Sequence, residues 1–297
     1  MIPVFTLDKE DTEGFKAFVP ESVLSRSRQS GYYSMYSAYF EEDEVVPAGF
    51  LQFYICKSDE NVKEYEAVIV YINVPAYAKG QESGLSLMEQ MEDVLSRAGI
   101  KRISCDLYGD ATEALKGYLI RCGYKKMQGK LIAADLSEVL KNPVFEPGKV
   151  ANAKNIGEIS QAALMRVVKD IDPASNKTEK VLQMINMSVY DPDLSSIYID
   201  KAGNKGVLLI RRTPAGSLLI DMYSSAGEDK KRPLFELLKL SAANAKKICS
   251  NDMKVMIPIR RTADEELFEK LCPDAPTDTV WRGIKMIKAR QDREKTE

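Results

Sequence analysis

The chain has 297 residues and a mass of 33.3 kDa, is 44% hydrophobic and 29% charged, and has a mean hydropathy of −0.27. This is an ordinary globular composition, long enough for about two domains, and no apolar run reaches the ~18 residues of a membrane-spanning helix. There is no histidine, which excludes Ser-His-Asp and Cys-His nucleophile systems and histidine metal ligands, so acid–base work near neutrality falls to Glu, Asp, Tyr, Cys, Lys or water.

The start, MIPVFTLDKEDTEGF, lacks the basic and then apolar order of a signal peptide, so none is expected. Five cysteines, Cys56, Cys105, Cys122, Cys249 and Cys272, are an odd number without a CxxC pair. Neither a disulfide framework nor a zinc ribbon is expected, and a reducing cytoplasm is the expected location. The net charge of −2 hides an asymmetry: residues 1–140 carry 22 acidic and 15 basic side chains, and residues 141–297 carry 22 and 27. Complementary surfaces or an anion site in the second half would both produce such a split, and a pI near 5.6 argues against a general nucleic-acid binder.

In chain order, IPVFTL reads as a strand, followed by a helical region to about residue 30. YYSMYSAYF (32–40), AGFLQFYIC (48–56) and YEAVIVYINV (65–74) are aromatic and β-branched runs that predict strands. A helix is predicted from Ser83 or Gly84 to Arg97, with Leu87, Met88, Met91, Val94 and Leu95 on its apolar side and Gly99 as the stop. RISCDLY (102–108), ATEALKGYLIRCG and KLIAADL (130–136) read as strand, helix and closing strand. KNPVFEPGK then interrupts regular structure. This places a first domain at 1–141, a linker at 142–149, a second domain at 150–290 and a frayed tail at 291–297.

The second half repeats the order loosely. Two helical segments precede strands at 195–200, 206–212 and 216–223. A long helix at 232–249, a strand at 254–259, the helix ADEELFEKL and a final strand at 281–287 follow. Strands in succession that then alternate with helices indicate a mixed α/β sheet, and the repeated order suggests duplication of one fold.

INVPAYAKGQESGLSLMEQMEDVL (72–95) is the strongest local feature. A strand ends at Pro75, a glycine-containing loop carries Lys79, and a helix opens at Gly84. Unpaired amides and the positive end of a helix dipole meet there, a ready anion site, and Gly80 and Gly84 leave room for a phosphate. An ordinary strand-to-helix turn would also read this way. Around it the sequence carries Val74-Pro75, Lys79-Gly80-Gln81-Glu82-Ser83-Gly84, the helix to Arg97, the strand 102–108, then Ala114, Tyr118 and Gly123-Tyr124. In that order these residues resemble the GNAT superfamily of acyl-CoA-dependent N-acyltransferases. The second half is similar to a more diverged copy, which makes the whole chain resemble a tandem GNAT protein.

The resemblance implies an α/β fold of two tandem GNAT-like domains, each a mixed, mostly antiparallel twisted sheet flanked by helices. It further implies an N-acetyltransferase: acetyl-CoA as co-substrate, no metal, and direct attack by a primary amine of a small molecule or a peptide. Acetyl-CoA is then expected at Ile72, Asn73, Val74, Lys79, Gly80, Gln81, Ser83 and Gly84, with a backbone N–H near Asn73 or Val74 polarising the thioester oxygen. Glu66 is the candidate base, 13 positions before Lys79, and strand alternation would set it on one face with Val68, Val70 and Ile72. Tyr118 is the candidate acid, although counting back from Gly123 selects Leu119 instead.

Two departures stand out. Lys79 replaces the family's Arg or Gln, and Glu82 replaces its middle glycine. In the second half AGEDKKRPLFELLKL has no glycine at the helix start and Phe268 stands at the tyrosine position, so the cofactor is placed in the first half. Lys230, Lys231, Arg232 and the pairs Arg211-Arg212 and Arg260-Arg261 remain as anion candidates or solvated charge. No nucleic-acid or membrane partner is expected. The alternative is a degenerate domain pair that binds an acyl-CoA without turnover, or a retained scaffold.

Overall fold

The computed structural model describes residues 3–7, 12–28, 31–41, 44–58, 64–78, 82–107, 113–146, 150–173, 176–186, 188–213, 216–259, 262–275 and 277–287. Its first elements are β1 (Val4–Thr6), α1 (Glu21–Ser27), β2 (Tyr32–Glu41), β3 (Glu44–Lys57), β4 (Tyr65–Asn73), α2 (Ser83–Arg97), β5 (Arg102–Leu107), α3 (Glu113–Arg121), β6 (Lys125–Asp135) and α4 (Leu136–Val139). There follow β7 (Ala153–Asn155), α5 (Gln161–Ile171), α6 (Asn176–Asn186), β8 (Ser196–Ile199), β9 (Lys205–Arg212) and β10 (Leu218–Ala226). The last are α7 (Lys231–Ile248), β11 (Lys254–Ile259), α8 (Thr262–Leu271) and β12 (Thr277–Met286). The chain divides into two compact units, residues 1–128 with 281–297, and residues 129–280.

In the first unit the strand order is β1-β2-β3-β4-β5-β12. β1 to β4 are antiparallel neighbours, β5 lies parallel to β4, and β12 closes the sheet antiparallel to β5, from Trp281 opposite Leu107 to Met286 opposite Arg102. In the second unit the order is β7-β8-β9-β10-β11-β6. β7 to β10 are antiparallel, β11 lies parallel to β10, and β6 closes antiparallel to β11, from Lys130 opposite Ile259 to Asp135 opposite Lys254. The same topology occurs twice, and each copy takes its sixth strand from the other half of the sequence.

That exchange differs from the expected domain boundaries. Residues 130–136 do not close the first sheet and residues 281–287 do not close the second; each strand lies in the opposite unit. Alternation reveals which face of a strand is apolar but not which strand edge it pairs with. The expected linker also differs. Phe145 is buried in the second unit's core, and Asn142 caps the turn Pro143–Phe145 while donating to the carbonyls of Lys270 and Leu271. Residues 147–149 and the expected tail lie outside the described residues.

Helix positions follow from local chemistry. α2 buries Leu87, Met88, Met91 and Leu95 against the sheet, the i, i+3/i+4 spacing of one helix face. It ends where Gly99 adopts φ +76°, with Gly99 N–H donating to Ser96 O and Ile100 N–H to Leu95 O. α3 ends the same way: Gly123 has φ +87°, Gly123 N–H reaches Ile120 O and Tyr124 N–H reaches Leu119 O. Both are Schellman closures, which need a residue free to take positive φ. The second closure fixes the register of α3: Leu119 lies fully buried in the core beside Tyr124, and Tyr118 packs, partly buried, at the margin of the same core. On the opposite face of this sheet, Phe15, Val19, Val23 and Leu24 pack on Phe50.

Candidate functional site

β4 and β5 are paired only from Glu66–Arg102 to Ile69–Cys105. β4 then continues to Asn73 and β5 to Leu107 without facing each other. The separation begins at a β-bulge: Ile69 lies opposite Phe53 and Tyr71 opposite Gln52, so Val70 is the extra residue. A bulge bends its strand and sharpens the local twist, and here it leaves the β5-facing edge of Val70–Asn73 without a strand partner among the described residues. The bulge also switches the faces. Ala67, Ile69 and Ile72 all pack on the α2 side, whereas Tyr71 packs with Phe18 and Phe50 on the α1 side. The alternation expected for 65–74 therefore breaks, and Glu66 does not share a face with Ile72.

α2 opens at the mouth of this gap. Its first turn contains no acidic side chain and no side-chain cap, and Ser83 and Gly84 are buried. A Cβ added at Gly84 would lie 3.0 Å from Tyr118 Oη and 3.2 Å from Val74 Cγ2. Three residues distant in sequence thus meet at one point, where any side chain beyond glycine would push Tyr118 or Val74 aside by a few tenths of an ångström. Tyr118, and not Leu119, is the residue delivered to it. Among the described residues Ser83 Oγ is buried without a hydrogen-bond partner, which is costly unless a ligand or water completes it, and Tyr118 Oη lies beside the Cys122 thiol. Burial, and then the neighbouring Cys122 thiol, raise the Tyr118 phenol well above the usual tyrosine range, so it holds its proton at every working pH. Gly49 on β3 is a further member that sequence reading missed. A Cβ there would stand 2.9 Å from both Leu87 Cδ1 and Ser37 Oγ, and a glycine inside a strand was the available signal of such close approach.

The remaining expected residues are distributed as follows. Asn73 and Ile72 lie on the unpaired end of β4, and Val74 follows it. Lys79, Gly80 and Gln81 lie outside the described residues. Glu82 precedes α2 with φ +57° and makes no capping bond with its side chain. Glu66 is not brought to the site. It is 2% exposed, its carboxylate is 3.0 Å from Arg102 Nε, and it lies roughly 23 Å along the strand from Asn73 at ~3.3 Å per residue. Desolvation is what a buried carboxylate cannot sustain without a cation, and Arg102, its direct neighbour on β5, supplies one. A second buried pair, Lys285 Nζ to Glu92 Oε1 at 2.5 Å, packs beside Tyr124 on the inner side of α2.

The second unit has the same opening, but its helix start is closed by the chain itself. β10 and β11 pair only at Leu218–Val255 and Leu219–Met256, and Asp221 is the bulged residue. A Cβ added at Gly206 would stand 2.9 Å from Leu237 Cδ1, as one at Gly49 would from Leu87 Cδ1. Counting back three residues from each leucine sets Leu234 where the first unit has Gly84. The α7 amides of Lys231 and Arg232 donate to Asp229 Oδ1, both at 3.1 Å, so a carboxylate of the chain occupies the helix start. Phe268, three residues before the end of α8 as Tyr118 is before the end of α3, packs edge-on against Tyr223 at 5.4 Å. Arg212 is bonded to Asp191 at 2.7 Å and Arg211 faces Asp221 at 3.4 Å; Arg260 and Arg261 lie outside the described residues.

Among the described residues no helix is long and apolar enough to cross a membrane, and no group of three or more acidic or cysteine side chains is set to hold a metal. By sequence, no protein-family model and no curated protein matches the chain. By structure, it is similar to a tandem GNAT protein from the clavulanic acid biosynthesis pathway, with TM-score 0.59 and 12% identity over 97% of this chain and 99% of that one. It is also similar to a conserved protein of unknown function from Enterococcus faecalis V583, described as a probable N-acyltransferase, with TM-score 0.58 and 10% identity over 98% of this chain and 74% of that one. A GCN5-related N-acetyltransferase from Kribbella flavida matches with TM-score 0.51 and 12% identity, over 97% and 73%. At these identities the likeness is one of fold: the chain is built of two GNAT-like units.

Proposed function

We propose that the first unit transfers the acetyl group of acetyl-CoA to a primary amine of a small molecule, by direct attack in a ternary complex, and that the second unit is not catalytic. The observation that carries this reading is the unpaired end of β4 opening beside an uncapped α2, with Tyr118 Oη at Gly84. Acetyl-CoA fits those features. The free strand edge suits an extended, amide-bearing arm, and the start of α2, which has no side-chain cap among the described residues, suits phosphate.

Acetyl-CoA supplies an activated acyl group and a thiolate leaving group. The chain supplies three things. Along Ile72–Val74 the backbone N–H groups that point away from β3 have no β5 partner among the described residues and are donors for the thioester oxygen. Tyr118, kept protonated by burial, donates to the sulfur as it departs. The inner wall of Leu87, Ile72 and Leu107 keeps water from the acyl group. Glu66, held by Arg102, takes no part, and the proton of the amine leaves through water at the mouth of the opening. The acidic balance of residues 1–140 favours a cationic acceptor.

Calorimetric titration of acetyl-CoA into the full-length protein is the first test. Saturable binding at one site per chain is expected, and Gly84→Glu, which sets a charged side chain against Tyr118 and Val74, should abolish it. Thiol release across a panel of primary amines then tests turnover. Tyr118→Phe should lower the rate by about a hundred-fold while changing acetyl-CoA affinity by less than about two-fold. No binding at millimolar ligand would overturn the reading, and binding without thiol release from any amine would favour the non-catalytic alternative.

A further inference from the structure

We propose that Tyr71 and Asn73 are positioning residues: they tether the free end of β4 to the backbone of Phe18, and so hold its unpaired edge where the pantetheine arm of acetyl-CoA docks. The proposal rests on the acetyl-transfer reading above. Beyond the bulge at Val70, β4 has lost its β5 neighbour, and a strand end paired on one side only is free to swing. Two side chains stop it. Tyr71 Oη donates to Phe18 O at 3.0 Å, and Asn73 Nδ2 donates to the same carbonyl at 2.8 Å. One carbonyl has two lone pairs and accepts both.

Both side chains leave the strand on the same face, two residues apart, and that face is opposite the one on which Ile72 packs against the α2-side core. The strand end is thus held from both sides, by apolar packing at Ile72 and by the paired hydrogen bonds at Tyr71 and Asn73. The anchor is itself fixed. Phe18 lies between Phe15 and Val19, which are 3% and 2% exposed, and Phe18 N–H and Val19 N–H both bond to Phe15 O. The Tyr71 ring packs edge-on to Phe50 at 6.1 Å, which aims its hydroxyl. The Asn73 side chain is therefore committed to Phe18, and its contribution to a ligand comes from its backbone.

The test compares two ligands on the full chain: acetyl-CoA, and adenosine 3′-phosphate 5′-diphosphate, which carries the phosphates but no pantetheine arm. Tyr71→Phe removes one hydroxyl, Asn73→Ala removes the amide, and the double variant removes both bonds. The double variant is expected to bind acetyl-CoA about ten-fold more weakly, the sum of two ordinary hydrogen bonds. Affinity for the nucleotide, which engages the α2 end, should stay within about two-fold. Unchanged acetyl-CoA affinity in the double variant would overturn the tether while leaving the acetyl-CoA site intact. Equal weakening of both ligands would overturn it too, since a general loosening of the unit would do that. Tyr71→Phe alone keeps the ring and its packing, so it serves as the folding control. If the wild-type chain binds the nucleotide but not acetyl-CoA, the acetyl-transfer reading fails and the tether falls with it.

Discussion

At Glu82 the backbone takes φ +57° and ψ +7° immediately before the amides of α2, a left-handed conformation that costs a residue with a Cβ about 1 kcal/mol. The family resemblance expects glycine near this point, and the geometry gives the reason: the turn into the helix needs positive φ. The carboxylate is exposed and caps nothing, so it adds repulsion toward an approaching phosphate. Glu82→Gly should therefore raise the melting temperature by about 2 °C and tighten acetyl-CoA binding, both read in one thermal-shift titration. A weaker-binding glycine variant would mean that the left-handed turn is not what shapes the anion site. Glu66 gives the opposite expectation. Replacing one member of a buried ion pair leaves the other charge uncompensated, so Glu66→Gln should cost about 3 kcal/mol in denaturant unfolding, with acetyl-CoA affinity unchanged. A large fall in turnover without loss of stability would instead return Glu66 to the chemistry.

At the scale of elements, most of the fold was legible because its signals are local. The stripe of α2, its stop at Gly99 and the aromatic strands β2 to β4 are set by neighbours within a few residues, and the observed bounds fall within a few positions of those expected. The bulge at Val70 was not legible. YEAVIVYINV is apolar throughout Ala67–Ile72, so neither face is marked and an extra residue shows only once β3 lies beside it; the face assigned to Glu66 was lost for that reason. Tyr118 was ambiguous by one residue in sequence, and the Schellman closure at Gly123 resolves it. The two helix starts differ in the same local way. Among the described residues α2 has no side-chain cap, whereas α7 is closed by Asp229, whose carboxylate oxygen accepts from Lys231 and Arg232 N–H. Asp229→Ala should cost the second unit about 1 kcal/mol through the lost cap. It should create no acetyl-CoA site, because Leu234 and not glycine stands at the position that corresponds to Gly84. Calorimetry on Asp229→Ala showing a second binding event would mean that the cap alone, and not Leu234, keeps the second unit silent.

At the scale of the molecule, the exchanged sixth strands decide what can fold alone. A fragment of residues 1–141 contains the whole domain expected from sequence but lacks β12. Its β5 edge would lose the ladder from Trp281 to Met286, and its core would lose Trp281 and Ile287. Asp106 would lose the two-bond contact from Arg282, at 2.6 and 2.7 Å, and buried Glu92 would lose Lys285. An absent core tryptophan costs about 3–5 kcal/mol and an orphaned buried carboxylate about 3 kcal/mol, against a total stability of about 5–15 kcal/mol for a typical domain. The fragment should consequently be unfolded or aggregated through its bare β5 edge. Residues 1–128 joined by a flexible linker to 277–287 should give a dispersed amide spectrum and a cooperative melt. The competing outcome is physically specific: within residues 1–141, β6 is an apolar strand in need of a partner, and it could lie on β5 in place of β12. A 1–141 fragment that melts cooperatively would show that β5 accepts either strand, and that the exchange is selected by the full chain rather than imposed by β5.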